Sequence, residues 1–133
     1  MLYAINTANV IAPDAAGDVG TLRAISVESG KASWRYDQRA ALMALLATGG
    51  DLVFGGDLAG TLRAFDAATG EVLWEKNLGA MITGHPVTFA VNGKQYVAVS
   101  TGRSNMTGGL SRLTPEAVPA ESSNKLFVFA LPN

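Results

Sequence analysis

The chain has 133 residues, 48% of them apolar, with 10 basic side chains against 11 acidic ones, a formal net charge of −1 and no cysteine. That length suits one domain, and so even a charge balance leaves no electrostatic footprint for nucleic acid and no basic face for a membrane surface. Without cysteine there is no disulfide and no thiolate metal site, and no apolar run reaches the roughly 18 residues of a membrane span.

Short β-rich runs bounded by Gly, Asp and Asn predict strands along the whole chain. The first is Leu2 to Thr7. The opening residues lack a basic stretch followed by a long apolar one, so they do not read as a signal peptide. Val10 to Gly20 is rich in Ala, Pro, Asp and Gly and reads as a loop. Thr21 to Ser26 and Ala32 to Tyr36 follow, joined by a turn around Ser29 and Gly30. Four strands come next, Met43 to Thr48, Leu52 to Gly55, Thr61 to Asp66 and Val72 to Lys76, each pair separated by a short turn containing Gly. Pro86 to Val91 and Lys94 to Ser100 form a hairpin over Asn92 and Gly93, the dipeptide that suits a tight turn. A long Ser, Gly, Pro and Thr segment, 102–123, reads as a structureless insertion before the last strand, Lys125 to Leu131. Such a loop inside a compact sheet is uncommon and often functional.

The elements repeat. Gly20 to Trp34 reads GTLRAISVESGKASW and Gly60 to Trp74 reads GTLRAFDAATGEVLW, identical at seven of fifteen positions across a spacing of 40. A period near 40 with strands, a turn and a terminal Trp in each copy predicts an all-β fold, a partial β-propeller of four-stranded blades. The strands make about two and a half blades: a partial blade over 1–37 without its first strand, a complete blade over 43–77, and a final blade over 82–133 without its outer strand, carrying the long loop 102–123. Such a segment leaves open edges and uncovered blade faces. The rest of a propeller or a second chain is therefore the expected partner. The tail FVFALPN reads as a true C-terminus and Met1 as an interior start.

Within the repeat, Gly70 is expected to supply the positive φ of the turn after Asp66 and Thr69, whose side chains can bond to the turn's own N–H groups. Trp34 and Trp74 are expected to fill the seams between neighbouring blades. Asp14, Asp18, Asp37, Asp51, Asp57 and Asp66 read as turn or docking residues, with no clustered spacing that would cage a metal ion. The lone histidine, His85, has no catalytic partner in view and reads as a surface or cap residue.

The pattern A-x-D-x-x-T-G-x-x-x-W at Ala64, Asp66, Thr69, Gly70 and Trp74 resembles the tryptophan-docking motif of the pyrroloquinoline quinone (PQQ) dehydrogenases, eight-bladed propellers of the bacterial periplasm. The first copy keeps Ala24, Gly30 and Trp34 but carries Ser26 and Ser29. Ala47 to Trp74 is similar to the penultimate full blade of the quinoprotein alcohol dehydrogenases, and Gly84 to Gly102 to their G-x-P-x-T strand and the strand after it. RLTPE, Arg112 to Glu116, and LFVFALP, Leu126 to Pro132, resemble the closing segment of the soluble members.

The resemblance implies oxidation of an alcohol, or of a sugar or aldehyde, by hydride transfer to PQQ held against Ca²⁺ or a lanthanide. It also implies a periplasmic location and an electron acceptor such as a cytochrome c. The carboxylate base and the Glu, Asn and Asp metal ligands would lie outside this segment, so no catalytic and no metal-binding residue is assigned here and the chain alone is expected to be inactive. Three residues are candidates to touch the cofactor. Leu42 and Met43 align with a Trp-Gly-Gly-Thr run whose tryptophan stacks on PQQ in methanol dehydrogenases; Leu42 also suits, and suits better, an apolar strand filling the propeller core. Arg39 beside them could reach a PQQ carboxylate or stand in water at a blade top. Met106, Leu110 and Leu113, in the loop that looks over the substrate funnel in that family, are candidates for the funnel wall, and the loop could also simply cover the propeller's face. The alternative to the enzyme is a non-enzymatic PQQ-repeat propeller, such as an outer-membrane assembly scaffold.

Overall fold

The structure, a computed structural model, describes residues 1–6, 17–105, 107–120 and 123–130, with the side chains of 4–6 left aside. Among the described residues, ten strands make three antiparallel meanders. The first sheet holds β1 (Leu2–Asn6), β2 (Gly20–Ile25) and β3 (Ala32–Gln38), in the order β1-β2-β3. The second holds β4 (Leu42–Ala47), β5 (Leu52–Asp57), β6 (Thr61–Asp66) and β7 (Val72–Asn77), in the order β4-β5-β6-β7. The third holds β8 (Val87–Val91), β9 (Lys94–Thr101) and β10 (Lys125–Ala130), in the order β10-β9-β8. This is the all-β, partial-propeller architecture that the 40-residue period implies. The predicted loop from Val10 falls largely outside the described residues, as does Asp14.

Each sheet buries one face against the next. Leu22 of the first sheet meets Leu42, Val53 and Phe65 of the second, with Tyr3, Trp34 and Tyr36 packed around them. Burial of each such side chain stabilises by roughly 1.5–3 kcal/mol. On its other face the second sheet presents Phe54, Leu62 and Ala64 to Val97 and Val99 of the third. The remaining face of the third sheet carries Val87, Phe89, Val91, Leu126 and Val128, all exposed. Phe89 stacks on Tyr96 there, with ring centroids 5.3 Å apart. An apolar face of this extent marks a surface that packs against another layer.

The repeat extends to the hydrogen-bond register. In the first copy Ala24 pairs with Trp34 and Ile25 with Ala32, skipping Ser33; in the second Ala64 pairs with Trp74 and Phe65 with Val72, skipping Leu73. The same irregularity thus precedes the same tryptophan twice. Gly20 and Gly60, which open the two copies, also share a reason. A Cβ would lie 2.1 Å from the Ala40 carbonyl oxygen at Gly20 and 2.6 Å from that of Ala80 at Gly60. The backbone that leaves each sheet crosses there at a distance only glycine permits.

Two expectations need correction. Segment 102–123 is not structureless: Thr107–Ser111 forms a short helix, α1, and Pro115–Ala117 a 3₁₀ turn. With two glycines, residues 107–111 have poor helix propensity, and tertiary packing of Leu110 decides their conformation. Nor is every aspartate in a turn. Asp37 sits within β3, where it accepts bonds from Thr21 Oγ1 and Arg35 Nε, both at 2.8 Å. Asp57 ends β5 and opens the β5–β6 turn, as a turn residue should, yet it is fully buried.

Candidate functional site

The seam between the first and second sheets is built by the docking turn. Asp66 Oδ1 accepts from the backbone N–H of Ala68 (2.9 Å), the N–H of Thr69 (2.8 Å) and the Thr69 hydroxyl (2.9 Å). Thr69 N–H first and its hydroxyl next hold the Asp66 carboxyl below the usual carboxylate range. Gly70, at φ 76°, closes the turn by donating to the Asp66 carbonyl at 2.9 Å. Trp34 comes in from the first sheet and donates its indole N–H to Ala67 O at 3.0 Å. Its ring lies so close to Gly70 that a Cβ there would fall 2.6 Å from it.

The first copy makes the same turn with weaker groups. Ser29 N–H donates to Ser26 Oγ at 3.3 Å, Lys31 N–H to Ser29 Oγ at 3.3 Å, and Gly30 N–H to Ser26 O at 2.9 Å. Ala24 and Ala64 are buried, each opposite its own copy's tryptophan in the ladder. Trp74 packs edge-on against Phe129 of the third sheet, with centroids 5.3 Å apart, and remains 39% exposed. A groove of about 430 Å³ opens beside it, lined by Leu52, Phe54, Leu73, Val97 and Phe129 among others.

A second arrangement lies at one end of the three sheets. Because every strand is antiparallel to its neighbour, the β3–β4 link, the β5–β6 turn, the β7–β8 link and the β9–β10 segment all emerge at this end. Each contributes to one apolar cluster: Ala41, Leu58, Met81 and Leu110, joined by Val19 before β2. Met43, Leu113 and Val118 pack against it, half-buried. The β9–β10 segment therefore forms a cap seated on the ends of the sheets.

The candidate residues divide accordingly. Met43, Leu110 and Leu113 are brought together in the cap cluster. Leu42 is not with them; it is fully buried between the first two sheets beside Leu22, Val53 and Phe65. Arg39 is engaged by the cap, with Nε on Glu116 Oε1 at 2.6 Å and Nη2 on Leu113 O at 3.4 Å. Glu116 lies below the usual carboxylate range, through its own backbone N–H first and Arg39 next. Met106 lies outside the described residues. His85 is exposed. Beside the cap a cleft of about 390 Å³ is lined by Met81, Arg103, Asn105, Thr107, Ser111 and Val118.

Below the cap lies a polar network that sequence reasoning missed. Asp57, 1% exposed, accepts from Arg63 Nη1 (2.6 Å) and Gln38 Nε2 (3.1 Å) on Oδ2, and from Thr61 N–H (2.8 Å) on Oδ1. Arg63 Nη1 also donates to Gln38 Oε1 at 2.8 Å, and its Nε to Glu75 Oε2 at 3.1 Å. Burial works against the Arg63 charge, yet the hydrogen bond and the attraction of Asp57 prevail and raise its pKa. Among the described residues no group of three or more His, Cys, Asp or Glu side chains could hold a metal ion, and no helix is long and apolar enough to cross a membrane.

Stacked three- and four-stranded meanders, a tryptophan from one sheet docked on an Asp-x-x-Thr-Gly turn of the next, and a cap over one end define part of a β-propeller of the tryptophan-docked kind. Residues 37–97 match the family described as the glucose/ethanol/alcohol dehydrogenase β-propeller domain, PQQ type. The chain is 37% identical over 119 residues to the quinoprotein ethanol dehydrogenase of Pseudomonas putida, a match covering 86% of this chain and 19% of that enzyme. Among solved structures it is similar to a europium-containing methanol dehydrogenase, with a TM-score of 0.74 and 29% identity over 86% of this chain and 24% of that one. It is similar also to the quinohemoprotein alcohol dehydrogenase ADHIIG from Pseudomonas putida HK5, with a TM-score of 0.72 and 28% identity over 84% of this chain and 17% of that one. The chain belongs to the PQQ-dependent alcohol dehydrogenase family of β-propellers, and it spans less than a quarter of the length of these relatives.

Proposed function

We propose that this chain forms part of the propeller of a periplasmic, PQQ- and metal-dependent dehydrogenase that oxidises alcohols, or sugars or aldehydes, and passes electrons to an acceptor such as a cytochrome c. The observation that carries this reading is the meeting of Met43 with Leu110 and Leu113 in one cluster at the end where the inter-sheet links emerge. A planar quinone and a small alcohol need an apolar wall that excludes water, and side chains of this kind suit one. PQQ, bound with Ca²⁺ or a lanthanide, would supply an electrophilic quinone able to accept the hydride. The described residues suit the wall and not the cage, since the nearby carboxylates Asp57 and Glu116 are each engaged by an arginine. The base and the metal ligands belong to other blades of the ring, which would also cover the exposed face of the third sheet; a second chain is the other candidate for that face. The remaining role of this segment is structural, the docking turns holding blade to blade.

Two measurements test the reading. The purified 133-residue chain with PQQ and Ca²⁺ should reduce no dye, and reduction would overturn the assignment of base and metal ligands to other blades. The second replaces the matching segment of the Pseudomonas putida quinoprotein ethanol dehydrogenase with this chain. In a chimaera that retains PQQ, Leu113→Ala should change the ratio of KM values for short and long alcohols severalfold while kcat stays within about twofold. An unchanged ratio would remove Leu113 from the wall.

A further inference from the structure

We propose that Asp57 is a positioning residue for the cap: its buried carboxylate and carbonyl hold together the three chain links that form the cap's seat. The seat residues Ala41, Leu58 and Met81 come from three separate links, none of which is a strand. Each is fixed by a bond that runs to Asp57 or beside it. The β3–β4 link is fixed by Gln38, whose Nε2 donates both to Ala40 O at 2.8 Å and to Asp57 Oδ2 at 3.1 Å. Ala41 O then accepts from Leu58 N–H at 3.0 Å. The β5–β6 turn is closed on Asp57 itself, by Thr61 N–H on its carboxylate at 2.8 Å and Gly60 N–H on its carbonyl at 3.2 Å. The β7–β8 link is fixed by Ile82 N–H on the same Asp57 carbonyl at 3.0 Å, and Met81 O in turn accepts Gly102 N–H at the root of the cap at 2.9 Å.

One residue therefore joins the first sheet, the second sheet and the link that leads to the third under the cluster on which Leu110 and Leu113 rest. Arg63 completes the group from β6, balancing the Asp57 charge at 2.6 Å and turning Gln38 by a bond to its Oε1 at 2.8 Å. A buried charge so fully engaged fixes one geometry, because loss of any partner leaves a polar atom without water to replace it. This inference goes beyond the dehydrogenase reading and does not depend on PQQ.

Hydrogen exchange of the full 133-residue chain tests it, since it reports the cap and the sheets separately. In Asp57→Asn, amides of residues 107–118 should exchange at least tenfold faster relative to those of β5 and β6 than they do in the parent. Arg63→Met should do the same, and Thr69→Val, in the remote docking turn, should leave that ratio unchanged. If Asp57→Asn does not fold, Gln38→Ala, which removes one arm of the network, is read by the same criterion. A folded variant whose cap-to-sheet ratio stays at the parent value overturns the proposal. Because the readout involves neither cofactor nor alcohol, that result would leave the dehydrogenase reading standing.

Discussion

The carbonyl oxygen of Ala67 receives the indole N–H of Trp34, 33 residues earlier, at 3.0 Å. The Tyr3 hydroxyl reaches the same oxygen at 3.3 Å, so one carbonyl of the second sheet takes donors from two strands of the first. A carbonyl has two lone pairs, and both are used. The seam thus has a polar centre inside an aromatic contact, Tyr3 and Trp34 standing 6.1 Å apart.

Trp34→Phe keeps most of the ring contact and loses the bond, so chemical denaturation should show a loss of about 1 kcal/mol. Trp34→Ala also empties the seam and should cost about 2–3 kcal/mol, less than for a wholly buried aromatic. Equal losses in the two variants would show that the Ala67 bond, not the ring, holds the sheets.

Gly30 and Gly70 occupy the same place in the two copies, with φ of 68° and 76°. Alanine at Gly30 meets nothing within 4 Å, whereas at Gly70 it meets Trp34. Gly30→Ala should therefore cost only the left-handed strain of about 1 kcal/mol. Gly70→Ala should cost at least twice that and red-shift the tryptophan emission as Trp34 is pushed out. Equal costs would mean that Trp34 does not rest on Gly70.

Asp66 adds a proton-linked contribution that its counterpart Ser26 cannot make. Its folded pKa is depressed below the reference 3.8 by the N–H and hydroxyl of Thr69. The contribution is therefore complete above the unfolded pKa, about 3.9, and is lost as pH falls through the lower folded value. The parent should be more stable than Asp66→Asn at about pH 6, and the gap should close by about pH 2. Melting temperatures across that range decide it; a gap that persists in acid would place the effect of the substitution elsewhere.

Arg39 and Glu116 form an exposed pair at 2.6 Å, and such pairs contribute little because water competes for both partners. Glu116→Gln should leave the denaturation midpoint within error. Leu110→Ala, on the buried side of the cap, should cost about 2 kcal/mol and expose the peptide bond after Arg112 to trypsin. A cap released by Glu116→Gln alone would reverse that ranking.

Much of the fold was legible because repetition amplifies it. One docking turn is a weak signal, but two at a spacing of 40 disclose strands, turn and seam together. The cap was harder to read, since the glycines of α1 argue against a helix and only the contact of Leu110 with residues from four distant segments makes one. Asp57 was read only in part, for a related reason. A sequence of Gly, Gly, Asp, Leu, Ala, Gly is a turn by composition, and nothing local tells that Gln38 and Arg63 converge on its carboxylate. Leu42 shows the limit of alignment by position: the end of a strand can face a cavity or the next sheet, and a register irregularity between Leu42 and Ala44 turns it to the sheet.

The skipped residues Ser33 and Leu73 carry one more consequence. Each acts as a tally mark: a strand that slid by one or two positions would put its extra residue opposite the wrong partner and turn its tryptophan away from the neighbour. Both fifteen-residue units bear the mark in the same place, so each sets its tryptophan at the same point of its strand. In the first unit that indole reaches the next sheet's turn at Ala67, and in the second the ring meets Phe129 of the third sheet.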